Sequence, residues 1–198
     1  DGTEITLNNG LLKRSFRITP NTACVDYTNL VTGQQLLRSV SPEARLMING
    51  TAYNVGGLYG QKEKAYLLPA WLNELKANDN DFIFKDYKIS EIKSFIHWNE
   101  KTASGKIPTW ATNKKQPTGK MISFRYQSVV PALKDVIVEV NYELYDGIPL
   151  IVKWVTVENK TSAVIKLDRV VNEILGIVEE ESAVVGKPEM MKKPQGIY

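Results

Sequence analysis

The stretch DVIVEVNYELYDGIPLIVKWVTVEN, residues 135–159, decides how this chain is read. Val136, Val138, Val140, Tyr142 and Leu144 fall on one side of an alternating run, with Glu139, Asn141 and Glu143 on the other. A period of two is that of a strand with one buried face. Asp146-Gly147 supplies a turn, and residues 148–157 return with Lys153 and Thr156 as their main polar interruptions. A strand apolar on both faces is expected inside a sheet that is covered on both sides. Together the two predict an antiparallel pair at the centre of a β-sandwich.

Working outward, the same grammar repeats. Residues 4–8 and 11–18 flank Asn9-Gly10, a favoured two-residue hairpin turn, and residues 44–48 and 51–55 flank Asn49-Gly50. Between them lie strand-like runs at 22–28 and 34–38. The glycine-rich run 55–60 lacks phosphate-loop spacing and reads as a bend where backbone passes close to backbone. Residues 66–75 suit a short helix, or an extended segment broken at Pro69. Residues 82–84 and 87–97 suggest two strands split at Lys85-Asp86, with further strands at 120–128 and within 163–178. With many strands, few short helices and no β-α-β rhythm, the expected fold is all-β, an antiparallel sandwich over residues 1–178. Residues 179–198, richer in charge and proline, read as a C-terminal extension or linker.

Composition removes whole classes of chemistry. One cysteine, Cys24, forbids an internal disulfide, and one histidine, His97, leaves no usual Cys/His zinc set. Cys24 sits inside a strand-like run and reads as a small buried apolar residue. A net charge of +3 without a basic stripe gives no nucleic-acid footprint. No apolar run reaches membrane-spanning length. The polar opening Asp1-Gly2-Thr3-Glu4 holds no signal peptide and equally suits a mature terminus left after one is removed.

No reaction centre is legible. His97 ends an apparent strand, no Gly-x-Ser-x-Gly elbow accompanies it, and no catalytic residue, metal ligand or cofactor motif is assigned. Glu139 and Glu143 share a strand face and could meet a ligand, but read as charges keeping an exposed face in water. Asp79, Asp81 and Asp86 cluster without calcium-loop spacing. Aromatics give the better lead. Trp71, Trp98 and Trp110 fall in or beside irregular segments, whereas Trp154 sits in an apolar strand. An indole offers a flat apolar face and one donor, suited to a sugar ring. These three are the candidate carbohydrate-binding residues, with Trp110, in the long irregular run 99–119, foremost.

The run Tyr142-Glu143-Leu144-Tyr145-Asp146-Gly147-Ile148-Pro149-Leu150-Ile151-Val152-Lys153-Trp154, continuing to Val157-Glu158-Asn159 and Ile165-Lys166-Leu167-Asp168, carries a resemblance. It resembles the strand pair in the N-terminal β-supersandwich domain of bacterial family 36-type α-galactosidase-like glycoside hydrolases. The resemblance covers residues 136–171 and implies a galactose mutarotase-like fold. It further implies a non-catalytic domain that supports a downstream catalytic (β/α)-barrel and sends an aromatic-bearing loop to the rim of a sugar cleft. Export to the periplasm or beyond goes with it. Two other expectations stand beside it: a freestanding carbohydrate-binding module using Trp110 and Trp98, and an aldose 1-epimerase-like enzyme using His97. For the latter, His97-Trp98-Asn99 matches none of the epimerases' asparagine-histidine segments.

Overall fold

The computed structural model describes residues 2–64, 66–93, 95 and 117–177. Its first sheet is a meander of β1 (Glu4–Asn8), β2 (Leu12–Arg17), β3 (Ala23–Asn29) and β4 (Gln34–Gln35), in that order. Next come β5 (Leu37–Ser39), β6 (Ala44–Ile48), β7 (Thr51–Val55), β8 (Phe82–Glu91) and β9 (Gly119–Ser128). The chain continues through β10 (Val136–Tyr145), β11 (Ile151–Asn159), β12 (Leu167–Val171) and β13 (Gly176–Ile177). The second sheet runs β11-β10-β9-β8-β7-β6-β12, and β13 pairs with β5 in a small third. Pairing is antiparallel except between β7 and β8, which meet side by side only at Val55 and Phe82. Among the described residues the helices are 3-10 turns, Pro69–Glu74 and Pro131–Leu133. The architecture is an all-β sandwich. No helix among the described residues is long and apolar enough to cross a membrane.

The alternation in β10 does what its period predicts on one side. Val136, Val138, Val140, Tyr142 and Leu144 are buried between the sheets, where each such side chain contributes about 1.5–3 kcal/mol. Phe16 of β2 reaches across to Phe124 and Tyr142, with ring centroids 5.0 and 4.9 Å away. That three-ring contact joins the two sheets.

Three local readings are revised. β11 does not lie inside the sheet: among the described strands it pairs only with β10 and forms an edge, with Ile151, Val155 and Val157 packed on the core margin. Residues 82–91 form one strand, not two. Lys85 is skipped in the register, Phe84 facing Tyr126 and Asp86 facing Arg125, and this bulge is what broke the alternation. In the first hairpin Gly10 and Leu11 occupy the turn, one position later than expected. Asn9 stays outside because its Oδ1 accepts the Leu11 and Leu12 amides while its Nδ2 donates to the carbonyls of Tyr145 and Ile148. Of the two alternatives for residues 66–75 the short helix holds, as the first 3-10 turn with Pro69 at its start.

Two expectations hold in detail. Asn49 and Gly50 form the tight turn of β6 and β7, at φ of 51° and 78°. Gly56 lies where a Cβ would stand 2.6 Å from the Thr22 carbonyl oxygen, and the Gly57 amide donates to that same oxygen at 2.7 Å. The glycine run is indeed a close backbone approach.

Candidate functional site

The odd-numbered side chains of β10 make the site. Register places Asn141 between Ser123 of β9 and Trp154 of β11, Glu139 between Arg125 and Thr156, and Glu143 between Met121 and Val152. On a pleated sheet these neighbours stand within about 4.5–5.5 Å at Cβ, so three strands contribute to one patch. The segment leaving β8 reaches this face. Glu143 is wholly buried and accepts the amides of Lys93 at 2.6 Å and Phe95 at 3.2 Å, and the Tyr145 hydroxyl donates to it at 2.6 Å. Fixed by that carboxylate, Phe95 lies on Trp154 with ring centroids 4.6 Å apart and planes 10° apart.

Beside the stacked pair is an open cleft of about 420 Å³, lined by Lys93, Phe95, Glu139, Asn141, Trp154 and Thr156 among others. Asn141 carries the unusual feature. It is only 2% exposed, its Oδ1 accepts the Ser123 hydroxyl at 2.6 Å, and its Nδ2 has no partner among the described residues. A buried donor left without an acceptor costs about 1–3 kcal/mol. The cleft therefore presents a carboxylate and a hydroxyl beside an aromatic wall, with an unused donor buried in its lining.

A second cluster lies on the opposite face of the same strands. Lys153, expected to interrupt an apolar strand, points between the sheets, and its Nζ donates to the Glu43 main-chain oxygen and, at 2.8 Å, to Glu173. Arg14, 3% exposed, donates to both oxygens of Glu173. Its guanidinium lies 4.8 Å from the Tyr142 ring centre, while the Tyr142 hydroxyl donates to Glu43. Glu43 also accepts the Cys24 amide at 2.7 Å. Two cations thus face two carboxylates, which is what buried charge requires. Burial pulls the Lys153 ammonium below its ordinary range against the pull of Glu43 and Glu173. Burial pushes Glu173 up, but Arg14 and Lys153 outweigh it and hold the carboxyl below the usual value. Burial also drives the Cys24 thiol up to about 11, which suits the inert buried residue expected of it. The arrangement is a structural tie from the segment after β12 to β2 and β11.

Only part of the set singled out in the sequence falls among the described residues. Trp71 stands half-buried in the first 3-10 turn, its ring 5.4 Å from that of Tyr66, and does not line the cleft. Trp98, Trp110 and His97 lie outside the described residues. Glu139 does line the cleft, whereas Glu143 is no solubilising surface charge but a buried anchor. Asp81 is buried and receives the Tyr59 hydroxyl, while Asp86 pairs with Arg125 at the surface. No group of three or more His, Cys, Asp or Glu side chains among the described residues is placed to hold a metal ion. Asn141, Phe95 and Trp154 went unselected. The hairpin count could not have paired Asn141 with Trp154: a turn at Asp146-Gly147 would set Asn141 opposite Val152, whereas the observed register centres on Gly147-Ile148 and sets it opposite Trp154.

No protein-family model matches the chain, and no curated protein or solved structure shows significant similarity to it.

Proposed function

We propose that this chain is a carbohydrate-recognising β-sandwich domain of a carbohydrate-processing protein, and that the cleft over β9, β10 and β11 takes a sugar ring. The observation that carries the reading is the unpaired Nδ2 of Asn141 beside the Trp154–Phe95 wall. A pyranose has an apolar C–H face, which suits an aromatic ring, and hydroxyls that both donate and accept. Asn141 supplies a donor, Glu139 an acceptor, and Thr156 either. A ligand hydroxyl that reaches the already buried amide satisfies the donor that the free protein leaves unused.

The role as a non-catalytic partner of a downstream barrel draws on the sequence resemblance over residues 136–171. Under this reading the domain lines one side of a sugar cleft and performs no bond cleavage itself.

Calorimetry against methyl galactosides and plant polysaccharide fragments tests the binding. Saturable heat that falls at least tenfold in affinity in Asn141→Ala and Trp154→Ala is expected. An inert wild-type protein across the panel refutes the reading.

A further inference from the structure

We infer that the Phe95 ring occupies the place of the ligand's ring, so that the cleft is self-occupied and a sugar enters by displacing it from Trp154. This rests on the reading of the cleft as a sugar site and adds how that site is regulated.

Four observations converge. Phe95 is 57% exposed, so its ring is not part of the core. It lies nearly parallel on the indole at 4.6 Å, the face-to-face arrangement that a pyranose C–H face also adopts over an aromatic ring. The fastening described for this segment is to its backbone: Glu143 accepts the Lys93 and Phe95 amides, and the Phe95 ring itself is held by the stack. Directly opposite Trp154 in register, Asn141 carries a buried Nδ2 without an acceptor. A phenyl ring covers an indole face but brings no oxygen. It therefore occupies the platform and leaves the donor beside it unsatisfied. A hydroxylated ring in the same place does both.

Rotation about the Phe95 side-chain bonds frees the indole while Glu143 keeps the segment anchored, so exchange needs no rupture of the backbone contacts. The apparent affinity of such a site is the intrinsic affinity reduced by the fraction of molecules in which the ring is off the indole. Removing the phenyl ring abolishes that reduction. An aromatic pair of this kind is worth about a twofold to tenfold population ratio.

The test uses the full chain with methyl galactoside and galactomannan oligosaccharides as probes, read by calorimetry and by indole fluorescence. Phe95→Ala is expected to bind about twofold to tenfold tighter than wild type, and Trp154→Ala and Asn141→Ala to bind weaker. Wild-type emission is expected to change on titration and that of Trp154→Phe to change less. Phe95→Leu, which keeps an apolar side chain but loses the flat ring, is expected to fall between wild type and Phe95→Ala. If Phe95→Ala binds equally or more weakly while wild type binds, Phe95 is a wall of the site and the displacement is wrong, though the sugar site stands. If neither wild type nor Phe95→Ala binds any probe, the sugar site itself fails and the displacement with it. Circular dichroism of each variant separates loss of binding from loss of fold.

Discussion

Glu173 and Arg14 meet across 159 positions of the chain, the carboxylate accepting from Nη1 at 2.8 Å and from Nη2 at 3.2 Å. Lys153 joins them on the Glu173 Oε1 at 2.8 Å. An irregular segment between two short strands is thereby fixed to the inside of both sheets.

Replacing Glu173 with Gln leaves two buried cations facing Glu43 alone. Because the Glu173 side chain is 32% exposed, the loss is placed near the lower end of that for a broken buried pair, about 2–4 kcal/mol. Urea unfolding measures it. A loss below about 0.5 kcal/mol, the size of an ordinary surface substitution, refutes the tie.

The same carboxylate sets a pH dependence. Its folded value lies below the ordinary one, so its contribution is fully present above about pH 4.3, the unfolded value. That contribution is lost as pH falls through the depressed folded value. The stability gap between wild type and Glu173→Gln should therefore be constant near neutrality and close in acid. Unfolding curves collected from pH 7 downwards would show a gap that persists if the assignment is wrong.

Asn9 ties the first hairpin to the turn after β10 through two donated bonds, at 2.7 and 2.8 Å. Asn9→Ala removes these together with the acceptor for the Leu11 and Leu12 amides. A destabilisation of about 1–3 kcal/mol is expected. Hydrogen exchange at Leu11 and Leu12 should accelerate, and unchanged protection there would count against the role.

Two glycines separate strain from collision. Gly56→Ala forces a Cβ to 2.6 Å from a main-chain oxygen at φ +64°, and at least about 2 kcal/mol should be lost. Gly147→Ala, at φ +73° with no atom within 4 Å, meets only the backbone penalty of about 1–2 kcal/mol. Thermal denaturation of the pair gives the difference. Equal losses would mean that the approach to Thr22 relaxes freely.

Strand identity was legible because a period of two survives in almost any context. It placed β6, β7, β9 and β10 within a residue or so of their ends. Sheet position was not legible. Apolar content says that a strand is covered, not by what, so β11 read as central although among the described strands it lies at an edge. Lys153 looked like an interruption because its partner, Glu173, lies 20 positions away on a segment without periodicity. Lys85 looked like a strand break because a bulge inverts alternation just as a turn does. The cleft was harder still. Glu143 takes two amide partners from Lys93 and Phe95 beyond β8, and a segment of that kind carries no periodic signal. Its charge was visible, but not its two amide partners.

The pairing of β12 with β6 has a consequence for the order in which the structure can form. Leu167 faces Ile48, and around them Lys166 and Asn49, 117 positions apart, exchange bonds at 2.8 and 2.9 Å. On a ribosome β6 and β7 emerge early, and the open side of β6 then waits through several seconds of synthesis for β12. A nascent chain stalled before residue 167 presents that side as an unpaired strand edge. The interval before β12 arrives is where this protein is exposed to aggregation and to chaperone capture.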